Sequence, residues 1–158
     1  MTKAEIFQLM LLAEEKITQV CKLCNEEKNG GYMCVTDAQG QLEAAFLVGK
    51  VPLEKAKMYA FFAQEKATRL SLHKDHVTSW QSRNETEKKY GGAIRVNDHI
   101  FSFSGLLELF DEFLMALLAQ KFFAFSDTPI RRDYLMIIAS ISESRFIETI
   151  LPESWTRH

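Results

Sequence analysis

Twice in 158 residues the chain sets two short apolar runs on either side of a turn signal, and each time a helical pattern follows. In the first case residues 32–36 and 41–48 flank Asp37-Ala38-Gln39-Gly40. In the second, residues 93–96 and 99–104 flank Asn97-Asp98, with Gly91-Gly92 before the pair and Gly105 after it. β-Branched and aromatic residues fit a pleated surface. Gly40 is free to take a positive φ, and an Asn-Asp pair suits a two-residue hairpin turn. The pattern therefore predicts two antiparallel hairpins. In the later one Ile100, Ser102 and Ser104 face one side, and Phe101 and Phe103 the other.

The segments around the hairpins carry a helical period. Thr2 and Glu5 form a capping-box pair, and Ile6, Leu9, Met10, Ala13, Ile17, Val20, Cys21 and Cys24 repeat every three or four positions. A first helix is expected over about residues 3–28, stopped by Asn29-Gly30-Gly31. Pro52 opens a second helix. Its stripe (Leu53, Ala56, Ala60, Ala63, Ala67 and Leu70) is mostly alanine, so this helix can lie close against a sheet. Lys55, Lys57, Glu65, Lys66 and Arg69 are expected to project elsewhere, and Phe61 and Phe62 lie off the stripe. Residues 73–90 read as a long polar loop with a short strand at 77–80. A third helix is expected from Leu106 to about residue 121, apolar on more than one face. Asp127-Thr128-Pro129 reads as a helix start, and residues 134–142 as helix in preference to a buried strand.

A chain of this length forms one domain, residues 1–158, with enough core to need no covalent staple. A net charge of −2 supplies no electrostatic reason for a nucleic-acid or membrane partner. The first segment carries Glu5, Glu14 and Glu15 and does not read as a signal peptide, and no long uncharged stretch reads as a membrane span. Three cysteines, an odd number, point to free thiols and a cytoplasmic setting.

Several local constellations contain residue types that carry chemistry. Cys21 and Cys24 share a helix face, but no second pair completes a zinc site, and they lie inside a helix where a redox pair would sit at its start. They read as core cysteines. Asp111 and Glu112 diverge by about 100° on a helix, too far apart to flank one substrate as acid and base. Helix capping, or a salt bridge within an oligomer, is the reading for that pair. A strand, not a helix, follows Gly91-Gly92, which rules out a phosphate loop of the helix-capping kind. Ser104-Gly105 lacks the G-x-S-x-G elbow of a serine nucleophile.

Three stretches in order resemble the heme-binding family that includes GlcG, HbpS and the C-terminal domain of PduO. They are "VTDAQGQLEAAFLVG", "PLEKAKMYAFFAQEKATRLS" with its Lys66-Ala67 pair, and "YGGAIRVNDHIFSFSGLLELFDE" with Gly91-Gly92, Ser104-Gly105 and Asp111-Glu112. The likeness covers about residues 3–121 and leaves 122–158 as a C-terminal extension. It implies an α/β (α+β) fold of profilin-like type, an antiparallel sheet flanked by helices, assembled as a homodimer or higher oligomer. It also implies heme as a possible ligand.

Heme needs an apolar slot and usually an axial ligand, for which His73, His76 and His99 are the candidates. In such a family Ser104, Gly105 and Asp111 would form the floor of a pocket. The functional expectation is a small-ligand binding module, with heme as the candidate ligand and no assigned reaction. The alternative is a non-enzymatic interaction or structural protein that keeps the fold without the ligand. Ala93 in place of the family's usual proline, Phe101 and Phe103, and the extension favour that alternative. A heme-degrading enzyme ranks third.

Overall fold

The computed structural model describes residues 1–150. Helix α1 spans Lys3–Leu23 and strands β1 and β2 span Gly30–Asp37 and Leu42–Gly49. Helix α2 spans Leu53–Leu72, and strands β3 and β4 span Ala93–Val96 and His99–Ser104. Helices α3, α4 and α5 follow at Glu108–Phe122, Arg132–Ser142 and Arg145–Glu148. The two hairpins share one antiparallel sheet in the order β2-β1-β4-β3. β1 pairs with β4 from Tyr32↔Ser104 to Asp37↔His99. An antiparallel sheet with helices on both faces is the α+β, profilin-like architecture that the family resemblance implies, and it contains both hairpins that the turn signals predict.

Strand alternation sorts side chains into two cores. Met33, Val35, Ile94, Val96, Phe101 and Phe103 enter the larger one, with Leu9, Ala13, Ile17 and Val20 of α1 and most of α3. Cys34, Ala93 and Ile100 face the other way and meet Ala63, Ala67 and Leu70 of α2. Alanine lets that helix approach closely enough for the Ser102 hydroxyl to donate to the Ala63 carbonyl at 2.7 Å. α3 is buried along Asp111–Ala119. Each of Phe113, Leu114, Leu117 and Leu118 contributes roughly 1.5–3 kcal/mol by leaving water.

The C-terminal extension supplies part of the cover on α3. Phe146 stacks its edge on Phe110, and Ile147 and Leu135 are fully buried in the same core. Part of the apolar surplus of α3 is thus covered within the chain. The last eight residues of the extension, His158 among them, lie outside the described residues.

Several boundaries differ from the sequence expectation. α1 stops at Leu23, not near Lys28, because Asn25 turns left-handed at φ 52° and the Glu26 N–H reaches back to the Cys21 carbonyl. Residues 77–80 do not form a strand. Thr78 instead caps a 3₁₀ turn over Ser79–Ser82, while keeping a single bridge to Ile94. α3 starts two residues after Leu106. Asp127-Thr128-Pro129 precedes α4 without starting it; Thr128 instead accepts hydrogen bonds from the Asn97 side chain. Among the described residues no helix is long and apolar enough to cross a membrane.

Candidate functional site

The chemistry concentrates where the end of β4, the start of α3 and the middle of α2 meet. Lys66 is almost completely buried there, and its ammonium donates to the Phe103 carbonyl at 2.8 Å and to Asp111 Oδ2 at 3.1 Å. The other oxygen of Asp111 accepts the Leu106 N–H at 2.9 Å. Burial raises the Asp111 pKa to about 6, although Lys66 and the Leu106 N–H pull it down. Asp111 therefore both caps the turn and pairs with a cation, but the cation belongs to its own chain. The expectation that Lys66 and Arg69 project away from the sheet is corrected: both are buried, and Arg69 bonds Glu65, Ser79, Ser82 and Tyr90.

Two glycines permit this corner. At Gly92, with φ +120°, a Cβ would stand 2.8 Å from Lys66 Nζ and 2.9 Å from Asp111 Cβ. At Gly105 it would stand 2.3 Å from the Gly30 carbonyl oxygen, so β4 could not turn off beside β1.

Beside the pair lies a cavity of about 300 Å³. Met58, Tyr59, Phe62 and Lys66 line it from α2, Tyr90 from the long loop, and Ser104 through Glu108 from the β4–α3 turn. Ser104 and Tyr59 are 7% and 6% exposed, and neither hydroxyl has a hydrogen-bond partner among the described residues. Glu108 is engaged by Arg83 at 2.7 Å and by the Gly91 N–H at 2.9 Å. Lys28 stands exposed at the rim, with no ion pair among the described residues.

Glu112, the neighbour of Asp111, points to a different place. It is fully buried, accepts a hydrogen bond from the Thr78 hydroxyl at Oε1, and lies beside Ser142 of α4. Its Oε2 has no hydrogen-bond partner among the described residues. Burial pushes its pKa up to about 7 against the opposing pull of the two hydroxyls. The two adjacent acids thus serve separate surroundings, as the helical divergence requires.

Of the sequence-predicted residues, Ser104, Gly105 and Asp111 meet at the cavity, and none of the three histidines lines it. His99 begins β4, at the other end of the strand from Ser104 and roughly 17 Å away at about 3.4 Å per residue. It is held by Glu43 at 3.1 Å. His73 and His76 stack face to face past the C-terminus of α2, with ring centroids 4.6 Å apart. His73 also lines a surface hollow of about 520 Å³ with Phe61 and Leu72. Its Nδ1 lies 2.8 Å from the Arg69 carbonyl. A carbonyl only accepts, so Nδ1 carries the hydrogen and Nε2 keeps its lone pair, an arrangement metal-ligating histidines commonly use.

The cavity beside Lys66 does not fit heme. Its volume is at the lower end of small-molecule sites, which run about 300–1,000 Å³. The hollow at His73 is larger and offers one available imidazole nitrogen.

Lys66 is the buried charge of the candidate site that reading for apolar stripes passes over. It stands three positions after Ala63 and four before Leu70, so the helical period itself places it on the inward arc. The same lysine belongs to the Lys66-Ala67 pair in the family resemblance. Comparison of the chain with protein-family models, with curated proteins and with solved structures finds no match.

Proposed function

We propose that the chain is a small-ligand binding module whose site is the cavity between α2 and the β4–α3 turn. The observation that carries this reading is a preformed hollow lined by Ser104 and Tyr59, each less than a tenth exposed, whose hydroxyls make no hydrogen bond among the described residues. Both hydroxyls open onto the cavity, where each can donate to and accept from a ligand that fills it. The reading assigns binding and no reaction, because the amine and carboxylate at the cavity neutralise each other. It includes a cytoplasmic setting and self-association through the outer face of α2, where Phe61 and Leu72 stay exposed.

The test is a titration with small aromatic probes (phenol, phenylacetate and phenylacetamide) followed by ¹H–¹⁵N spectra. Shifts concentrated at Tyr59, Lys66 and residues 104–108 support the site. Shifts confined to other surfaces, or none, remove it.

Heme on the α2 surface is the second reading, favoured by the free Nε2 of His73 beside Phe61 and Leu72. Here His73 would hold the iron, and the iron would supply the redox and oxygen chemistry of the group. Hemin addition then produces a shifted Soret band that His73→Ala abolishes. A band that survives that change, or no band at all, ends this reading.

A further inference from the structure

The chemistry of the cavity wall also narrows the ligand; this step rests on the reading of the cavity as a ligand site. We infer that it takes a small carboxylate attached to a compact apolar or aromatic body. α3 begins at the cavity without a side-chain cap: Leu107 holds the N-cap position and its side chain offers no hydrogen bond. The first backbone N–H groups of a helix have no intrahelical partner, and the positive end of the helix dipole favours an anion. α3 is 15 residues long, enough for that dipole to be well developed.

Ser104 supplies the second and independent observation. It has the same strand parity as Ser102, whose hydroxyl bonds to α2, so it faces the α2 side and the cavity. It is more than nine-tenths buried and its hydroxyl makes no hydrogen bond among the described residues, and the same holds for Tyr59, which also lines the cavity. Two hydroxyl donors and an uncapped helix start thus converge on one hollow.

Two carboxylates line the cavity, and each is paired: Asp111 with Lys66 at 3.1 Å and Glu108 with Arg83, which Glu85 also engages. Lys66 makes two of the three hydrogen bonds open to an ammonium. Lys28 stands at the rim and makes no ion pair among the described residues, so its ammonium is available to an anion there. A carboxylate satisfies all of these donors, whereas a cation meets no free acceptor of matching charge. Met58, Phe62 and Leu106 form the apolar wall against which the body of the ligand packs. A volume of about 300 Å³ limits that body to about one ring or a short branched chain.

The experiment compares phenylacetate with its neutral isostere phenylacetamide on the full chain, by calorimetry and by amide shifts at residues 104–109. Phenylacetate is expected to bind at least about tenfold more tightly, the scale of one charge-assisted contact. Lys28→Ala, at an exposed position, should weaken phenylacetate several-fold and leave phenylacetamide unchanged, Ser104→Ala should weaken phenylacetate several-fold, and both variants should preserve the circular dichroism spectrum. Equal affinity for both probes overturns the carboxylate inference while the binding site stands. Shifts by neither probe at the cavity overturn both. Stronger binding of phenylacetate that persists undiminished in both variants also overturns it, because the anion then sits elsewhere.

Discussion

Lys66 and Asp111, 45 residues apart in sequence, meet at 3.1 Å with each side chain only 2% exposed. The contact ties the middle of α2 to the first turn of α3 across the end of β4. Removing one partner leaves the other charge buried without compensation. Asp111→Ala is therefore expected to cost about 3–5 kcal/mol in chemical unfolding. The double change Lys66→Met/Asp111→Leu should recover at least about half of that, since no charge is then stranded. A loss below about 1 kcal/mol in the single variant would contradict a structural role for the pair.

Glu112 makes stability depend on pH. Its folded pKa, about 7, lies above the ordinary value of 4.5 because burial disfavours its charge. The folded state thus holds a proton that the unfolded chain has released. The contribution is fully present below about pH 4.5 and is lost as pH rises through about 7. Glu112→Gln should flatten this part of the profile, so the difference between wild type and variant changes by a few kcal/mol, on the order of 3, between pH 4.5 and 8. Parallel profiles measured by urea unfolding would show that Glu112 titrates as in the unfolded chain.

Gly92 tests the geometry of the corner. An alanine there must hold φ +120° and also push apart Lys66 and Asp111. The backbone cost alone is about 1–3 kcal/mol. Gly92→Ala should lower the unfolding midpoint and shift the Leu106 amide resonance, whose bond to Asp111 it disturbs. An unchanged Leu106 resonance would show that the two side chains do not depend on this glycine.

Self-association is expected through α2. Phe61, 65% exposed, and Leu72 lie three helical turns apart on one outer face. Light scattering should give a mass above the 18.2 kDa of one chain, and Phe61→Glu with Leu72→Glu should return it to that value. A monomeric wild-type chain at sub-millimolar concentration refutes this face as an interface.

Much of the fold was legible because its causes are local. The Thr2–Glu5 capping box forms as read, with reciprocal bonds of 3.1 and 2.7 Å. The 37–41 turn closes through Asp37, which accepts the Gln39 and Gln41 N–H groups, with Gly40 at φ +89°. The sides assigned to Ile100, Ser102, Phe101 and Phe103 hold in the structure. Less of the site was legible. Ser104, Gly105 and Asp111 come together in sequence only through a family resemblance. Lys66 reads as lying outside the core because a lysine among charged neighbours ordinarily faces water. The contact of Thr78 with Glu112 is not legible because it spans 34 positions and leaves no periodic trace.

The sequence by itself determined the elements and their inward faces, since period, caps and turn residues act over a few positions. Only the tertiary structure decided which charges are buried. Burying an ammonium or a carboxylate depends on a partner brought from a distant part of the chain. Lys66 has such a partner in Asp111, so the corner that holds the cavity exists only once β4 has placed α2 and α3 side by side.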